Sequence, residues 1–147
     1  MWMTVWNETQ SERLLGRVHR CASFLCRLRG LTFRRILGDD EGYLLVGRRE
    51  SRADTAIHMF FVFFPIAALW LDRNGRVVDA QLARPFRPLY VPRAPARDVL
   101  EGPPALLERV HIGDRLLVVT TRSNDFSRFS SRGATEVATT NLSQSLR

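Results

Sequence analysis

A chain of 147 residues, 45% hydrophobic, 25% charged and 10% aromatic, is the size of one domain and can bury a core. This excludes a wholly disordered protein, a collagen-like repeat and a small disulfide-stapled scaffold. The net charge of +7 comes from 22 basic and 15 acidic residues, and every basic residue is arginine, which suits phosphate or carboxylate partners; a genome that favours arginine codons gives the same composition without any partner.

Val5 and Trp6, the polar stretch Asn7 to Arg13, and Leu14-Leu15 predict a strand, a turn and a second strand. From Arg17 the spacing of Val18, Cys21, Leu25 and Leu28 predicts a helix face, with Gly30 as its C-terminal stop and Arg27 and Arg29 suited to the negative helix end. Arg17, Arg20 and Arg27 share the opposite face of that helix, either as a solvated side or as a surface for anions. Asp39-Asp40-Glu41 reads as an acidic turn, Gly42 to Val46 as a strand, and Gly47 to Asp54 as a polar loop.

The apolar run Ala56 to Leu71 is interrupted by Pro65 and reads as two consecutive buried strands. At sixteen residues it is shorter than the roughly 20 that a membrane-spanning helix needs. If exposed instead of buried, its aromatic residues would form an interface, so a homodimer is an open expectation. Asn74-Gly75 then predicts a tight hairpin, with Arg76 to Ala83 as the return strand. Val99-Leu100-Glu101 reads as a short strand, Pro103-Pro104 opens one or two helical turns, Gly113-Asp114 is a turn, and Leu116 to Thr120 is a last strand. A single domain over residues 1–121 is expected, followed by a flexible Ser/Thr-rich tail over residues 122–147.

Between these elements lies Arg84 to Arg97, with four arginines, four prolines, Phe86 and Tyr90, and no acid. Proline keeps such a segment extended, and aromatics interleaved with arginines can stack on bases while guanidinium groups hold phosphates. Arg84, Phe86, Arg87, Tyr90, Arg93 and Arg97 are therefore the candidate binding residues for an anionic ligand or a nucleic acid. The plainer reading is a proline-stiffened connection whose aromatics pack on the core.

Catalytic signatures are missing. There is no Gly-x-Ser-x-Gly elbow and no phosphate-cradling glycine loop. Cys21 and Cys26 lack the spacing of a redox or zinc pair, and on a helix their sulfurs would point apart. His19, His58 and His111 do not stand at ligand spacing, so neither metal nor other cofactor is expected. His58, inside the apolar run, could act as a desolvated base, with Asp72 or Glu101 as an acid; a packed histidine is the plainer alternative. Met1 to Thr9 lacks the pattern of a secretory signal, which, with cysteines that do not pair, makes the cytoplasm the expected address.

The string Arg27-Leu28-Arg29-Gly30-Leu31-Thr32-Phe33-Arg34-Arg35 resembles the Arg-Gly-Leu-Met-x-Arg opening of the uncharacterised DUF192 family. Gly42-Tyr43-Leu44-Leu45-Val46, Gly75-Arg76-Val77-Val78, Val99-Leu100-Glu101 and Gly113-Asp114 follow in the family's order. Ile57 to Asp72 falls where the family has Phe-Trp-Met-Lys-Asn and then Pro-Leu-Asp. Met59 and Pro65 are retained there, but His58 replaces the tryptophan, Phe60 and Phe61 replace lysine and asparagine, and Ala67 replaces the aspartate. Phenylalanine cannot donate as those side chains do.

The resemblance implies a β-rich α+β domain, a curved sheet or partly closed barrel with one or two short helices, and it implies no reaction. Arg29, Gly30, Leu31, Gly42, Pro65, Glu101 and Gly113 are the residues expected to specify the fold, with Arg29 paired to a carboxylate such as Glu101. The expected function is a non-enzymatic binding or accessory role.

Overall fold

The computed structural model describes residues 2–120; the expected tail, 122–147, lies outside the described residues. Seven strands form one sheet curled into a half-barrel. They are β1 (Met3–Asn7), β2 (Glu12–Cys21), β3 (Glu41–Ser51), β4 (Ile66–Leu71), β5 (Val77–Ala83), β6 (Ala96–Gly102) and β7 (Leu116–Thr120), with α1 (Phe24–Arg29) and α2 (Leu106–Arg109) as short helices. The strand order is β5-β4-β6-β3-β2-β1-β7, and among the described residues only β2 and β3 pair in parallel. The edges approach at one end, where Val77 N donates to Asp114 O (2.9 Å) and Leu116 N to Gly75 O (2.8 Å).

A curled sheet has an inner and an outer face, and here both are covered. Val5, Leu15, Val18, Leu69 and Leu100 fill the inside, closed by Leu106 of α2. Leu45, Ala68, Trp70 and Val99 face outward, beneath Ile57, Met59, Val62 and Tyr90 from the long connections. β4, between β5 and β6, is therefore buried along its whole length. Trp70 anchors the outer layer by donating from Nε1 to Thr55 O at 2.8 Å, which satisfies a buried indole N–H that would otherwise be orphaned.

The Asn74-Gly75 hairpin is present. Asp72 Oδ1 accepts from Asn74 N (2.8 Å) and Arg76 N (2.9 Å), and Gly75 takes φ +78°. Gly30 caps α1 with φ +37° and donates to Cys26 O, while the Ser23 hydroxyl accepts from Cys26 N at the other end.

Three expectations need correction. The helix begins at Phe24, not Arg17, and Arg17, Val18, Arg20 and Cys21 belong to β2. Met3 pairs Val18 while Val5 pairs Leu15; the extra residue is a bulge, which turns the strand period of two into an apparent three. The arginines therefore do not line one helix face. Only the second half of the apolar run is a strand, since residues 56–64 form an irregular connection. Finally, β3 continues through Gly47 to Ser51 instead of ending at Val46.

The cysteines need a fourth. Cys21 and Cys26 are joined in a disulfide. Cys21 ends a strand and only Cys26 lies on the helix, so helical rotation never applies between them.

Candidate functional site

A cavity of about 60 Å³ opens between the end of α1, the connection around His58 and the outer face of the sheet. Arg27, Arg29 and Gly30 border it on the helix side, His58 and Met59 on the connection, and Glu101 at its floor. Glu101 sits on β6 between two partners, opposite Tyr43 of β3 and Ala68 of β4. Alternation along β6 puts it on the same face as Val99, which is part of the outer core.

Glu101 is buried, and its side chain makes no hydrogen bond or ion pair among the described residues. Burial alone pushes its carboxyl up to about 7, because a low-dielectric surrounding disfavours the charged form. His58 Nδ1 is likewise buried without a partner, and its ring lies beside Phe60, 5.7 Å between centroids. The residues that carry these two unpartnered groups thus line one cavity, with apolar walls from Met59, Val62 and Ile66.

The arginines are held differently. Arg27 Nη2 donates to Asp54 O at 2.6 Å, bracing the loop after β3. Arg29 is exposed, and among the described residues no ion pair joins it to Glu101. The expected pairing is absent because Arg29, in the last turn of α1, stays in solvent while Glu101 is enclosed on the sheet. Gly30, between helix and cavity, would carry any Cβ 3.6 Å from Glu101 Oε2.

The other fold-specifying residues are placed as follows. Leu31 is in the outer core. A Cβ on Gly42 would lie 2.7 Å from Glu101 O, so glycine there lets β3 approach β6. Pro65 immediately precedes β4, and Gly113 takes φ +97° in the turn before β7. Asp72 is committed to the β4–β5 turn, away from the residues lining the cavity.

The six residues of the Arg/Pro segment do not share one environment. Arg84, Phe86, Arg87 and Arg93 are exposed. Tyr90 is buried in the outer core, where its hydroxyl accepts from Arg84 N at 2.7 Å and Arg87 lies over its ring. Arg97 is occupied by Asp98 (Nη2 to Oδ2, 2.7 Å). The exposure of Phe60, Phe61 and Phe63 had no signal in the sequence, since a continuous apolar run is equally the pattern of a buried strand. Among the described residues no group of three or more His, Cys, Asp or Glu is arranged to hold a metal ion.

Residues 5–118 match the DUF192 family, described as "Uncharacterized ACR". A "UPF0127 protein" of Thermococcus kodakarensis is 34% identical over 119 residues, covering 81% of this chain and 74% of the relative. A similarly named protein of Pyrococcus horikoshii is 34% identical over 112 residues, covering 75% and 94%. A crystal structure of a protein of unknown function from Novosphingobium aromaticivorans superposes with TM-score 0.67 at 23% identity, over 78% of this chain and 82% of the other.

Proposed function

The chain belongs to the DUF192 family, and from that premise we propose that it is a binding domain whose cavity takes a small polar molecule on Glu101 and His58. One observation carries this reading: two residues lining the same cavity each hold a polar group without a partner among the described residues, the carboxyl of Glu101 and Nδ1 of His58. Each buried polar group left unsatisfied costs about 1–3 kcal/mol, and a ligand that pairs them recovers that cost on binding.

The chemistry of the groups defines the ligand. Uncharged Glu101 donates a hydrogen bond and accepts another, and His58 Nδ1 supplies a donor or an acceptor. Exposed Arg29 at the mouth attracts an anionic end, which Glu101 does not repel when protonated. A small carboxylate or hydroxylated acid fits this set, with its polar group inserted and its charge toward Arg29.

Thermal-shift and NMR titration of a panel of small carboxylates, amides and polyols tests the proposal. Binders should perturb Gly30, His58 and Glu101, Glu101→Gln should retain part of the affinity, and Glu101→Ala should lose it. A panel whose binders are unaffected by Glu101→Ala and His58→Ala would sink it.

A second reading rests on the same carboxyl. A group that titrates near 7 can exchange a proton with a bound molecule at neutral pH, which makes Glu101 a candidate general acid. Conversion of a bound panel member, lost in Glu101→Gln while binding persists, distinguishes this reading from binding alone.

No helix among the described residues is long and apolar enough to cross a membrane. The Cys21–Cys26 bond supports an oxidising compartment for this domain over the cytoplasm expected from sequence, because cytoplasmic thiols are ordinarily kept reduced.

A further inference from the structure

We propose that the phenylalanine cluster on the connection before β4, together with its flanking arginines, is a docking surface for an anionic lipid membrane. Phe60, Phe61 and Phe63 are 48%, 51% and 52% exposed. Two neighbouring segments bring their own rings to them: Phe33 stacks on Phe61 at 4.9 Å, and Phe86 meets Phe63 edge-on at 5.4 Å. Backbone bonds tie the three segments into one patch, with Phe33 N donating to Phe61 O and Phe86 N to Met59 O, each 2.9 Å.

Phe33, Phe61 and Phe86 all adopt positive φ, 64°, 56° and 62°. That region is costly for a bulky side chain. At all three positions the ring is left half or more exposed, so core packing does not compensate the strain. The fold holds an apolar surface in water at the expense of its own backbone, as a protein does for a surface it uses.

Charge around the patch selects the partner. Arg84 and Arg87 belong to the same turn as Phe86, closed by Arg87 N donating to Arg84 O, and Arg35 follows Phe33 by two residues. All three are exposed and make no ion pair among the described residues. Residues 84–97 contain no acid. A second copy docked through a twofold axis would bring these arginines face to face. An anionic bilayer offers phosphates to the guanidinium groups and an acyl boundary to the rings. The contact proposed is a peripheral one, made by exposed rings and guanidinium groups at the bilayer surface. Of the two aromatics in residues 84–97, Tyr90 is buried and Phe86 meets Phe63 edge-on, so the segment does not present the row of stacking rings that a nucleic-acid strand would use.

The test is co-sedimentation of the full chain with vesicles of phosphatidylcholine alone and of equimolar phosphatidylcholine and phosphatidylglycerol. Partitioning should be roughly tenfold or more stronger on the anionic vesicles and should fall with salt. Phe33→Asn with Phe61→Asn removes two rings where asparagine tolerates the backbone better. The double variant should melt no lower than the parent and lose at least roughly tenfold in partitioning. Arg84→Gln with Arg87→Gln should remove the preference for phosphatidylglycerol. Equal partitioning on both vesicles, none on either, or partitioning unchanged by the asparagine pair overturns the proposal. So does a dimer, or binding of a mixed-sequence oligonucleotide, that the asparagine pair abolishes while vesicle binding is absent.

Discussion

Gly30 and Glu101 line the same cavity side by side, so that a Cβ on the glycine would stand 3.6 Å from Glu101 Oε2. With φ at +37°, position 30 favours glycine on backbone grounds, and the absent side chain leaves the space above the carboxyl open. The capping residue of α1 and the buried acid of β6 thus form one feature.

Glu101 should make stability fall as pH rises. Its carboxyl titrates at about 7 in the folded chain against 4.5 for the ordinary group, so between these values the folded state holds more protons than the unfolded state. The folded state is then penalised progressively as pH climbs, to a limit of about 3 kcal/mol above pH 7. His19 acts with the opposite sign. Burial lowers its pKa, and its contribution is present above the ordinary value of 6.5 and lost as pH falls. Urea unfolding of the parent and of Glu101→Gln at pH 4 and pH 8 separates the two: the variant should match the parent at pH 4 and exceed it at pH 8.

Asn7 and Asp114 hold β1 to the turn before β7. Asn7 is fully buried; its Nδ2 donates to Asp114 Oδ2 at 2.8 Å, and its Oδ1 accepts from Gln10 N at 3.2 Å. Asn7→Ala should cost about 2 kcal/mol in chemical denaturation, because it leaves the facing groups unpaired. Burial pushes the Asp114 carboxyl up, but hydrogen bonds from His111 N, Asn7 and Gln10 outweigh it and hold the pKa below the ordinary value. That contribution is present at neutral pH and lost as pH drops through the folded pKa, so Asn7→Ala should also weaken the acid dependence.

Gly47 lies where β3 and β6 depart from regular register between Val46 and Ser51. A Cβ there would collide with the carbonyl oxygen of Arg97, which is backbone and cannot turn aside. Gly47→Ala should lower stability by roughly 3 kcal/mol or more, seen as an earlier melting transition and faster amide exchange in β6.

Reducing the Cys21–Cys26 bond should destabilise the chain by about 2 kcal/mol, the loop-closure value for so short a loop. Melting with and without reductant, and of Cys21→Ser, checks this. Reduction should have no further effect on the serine variant.

The hairpin at Asn74-Gly75, the cap at Gly30 and the strand carrying Glu101 were legible because each is a local preference, fixed by turn chemistry or by alternation over a few residues. The bulge in β2 was not. Its apparent helical period depends on how β1 pairs with it, which is a relation between strands. The exposure of Phe60, Phe61 and Phe63 was hidden for a related reason, since an apolar run looks the same whether its rings enter the core or the solvent.

The sequence by itself determined a β-rich domain, the kinship with DUF192 and the principal turns. Only the tertiary structure decided the surroundings of Glu101. It left Arg29 in solvent, placed His58 on the same cavity and buried the carboxyl enough to raise its pKa. A carboxyl's proton affinity depends on the groups and solvent around it, and for Glu101 those come from α1, the connection before β4 and strands β3, β4 and β6, brought together only by the curl of the sheet.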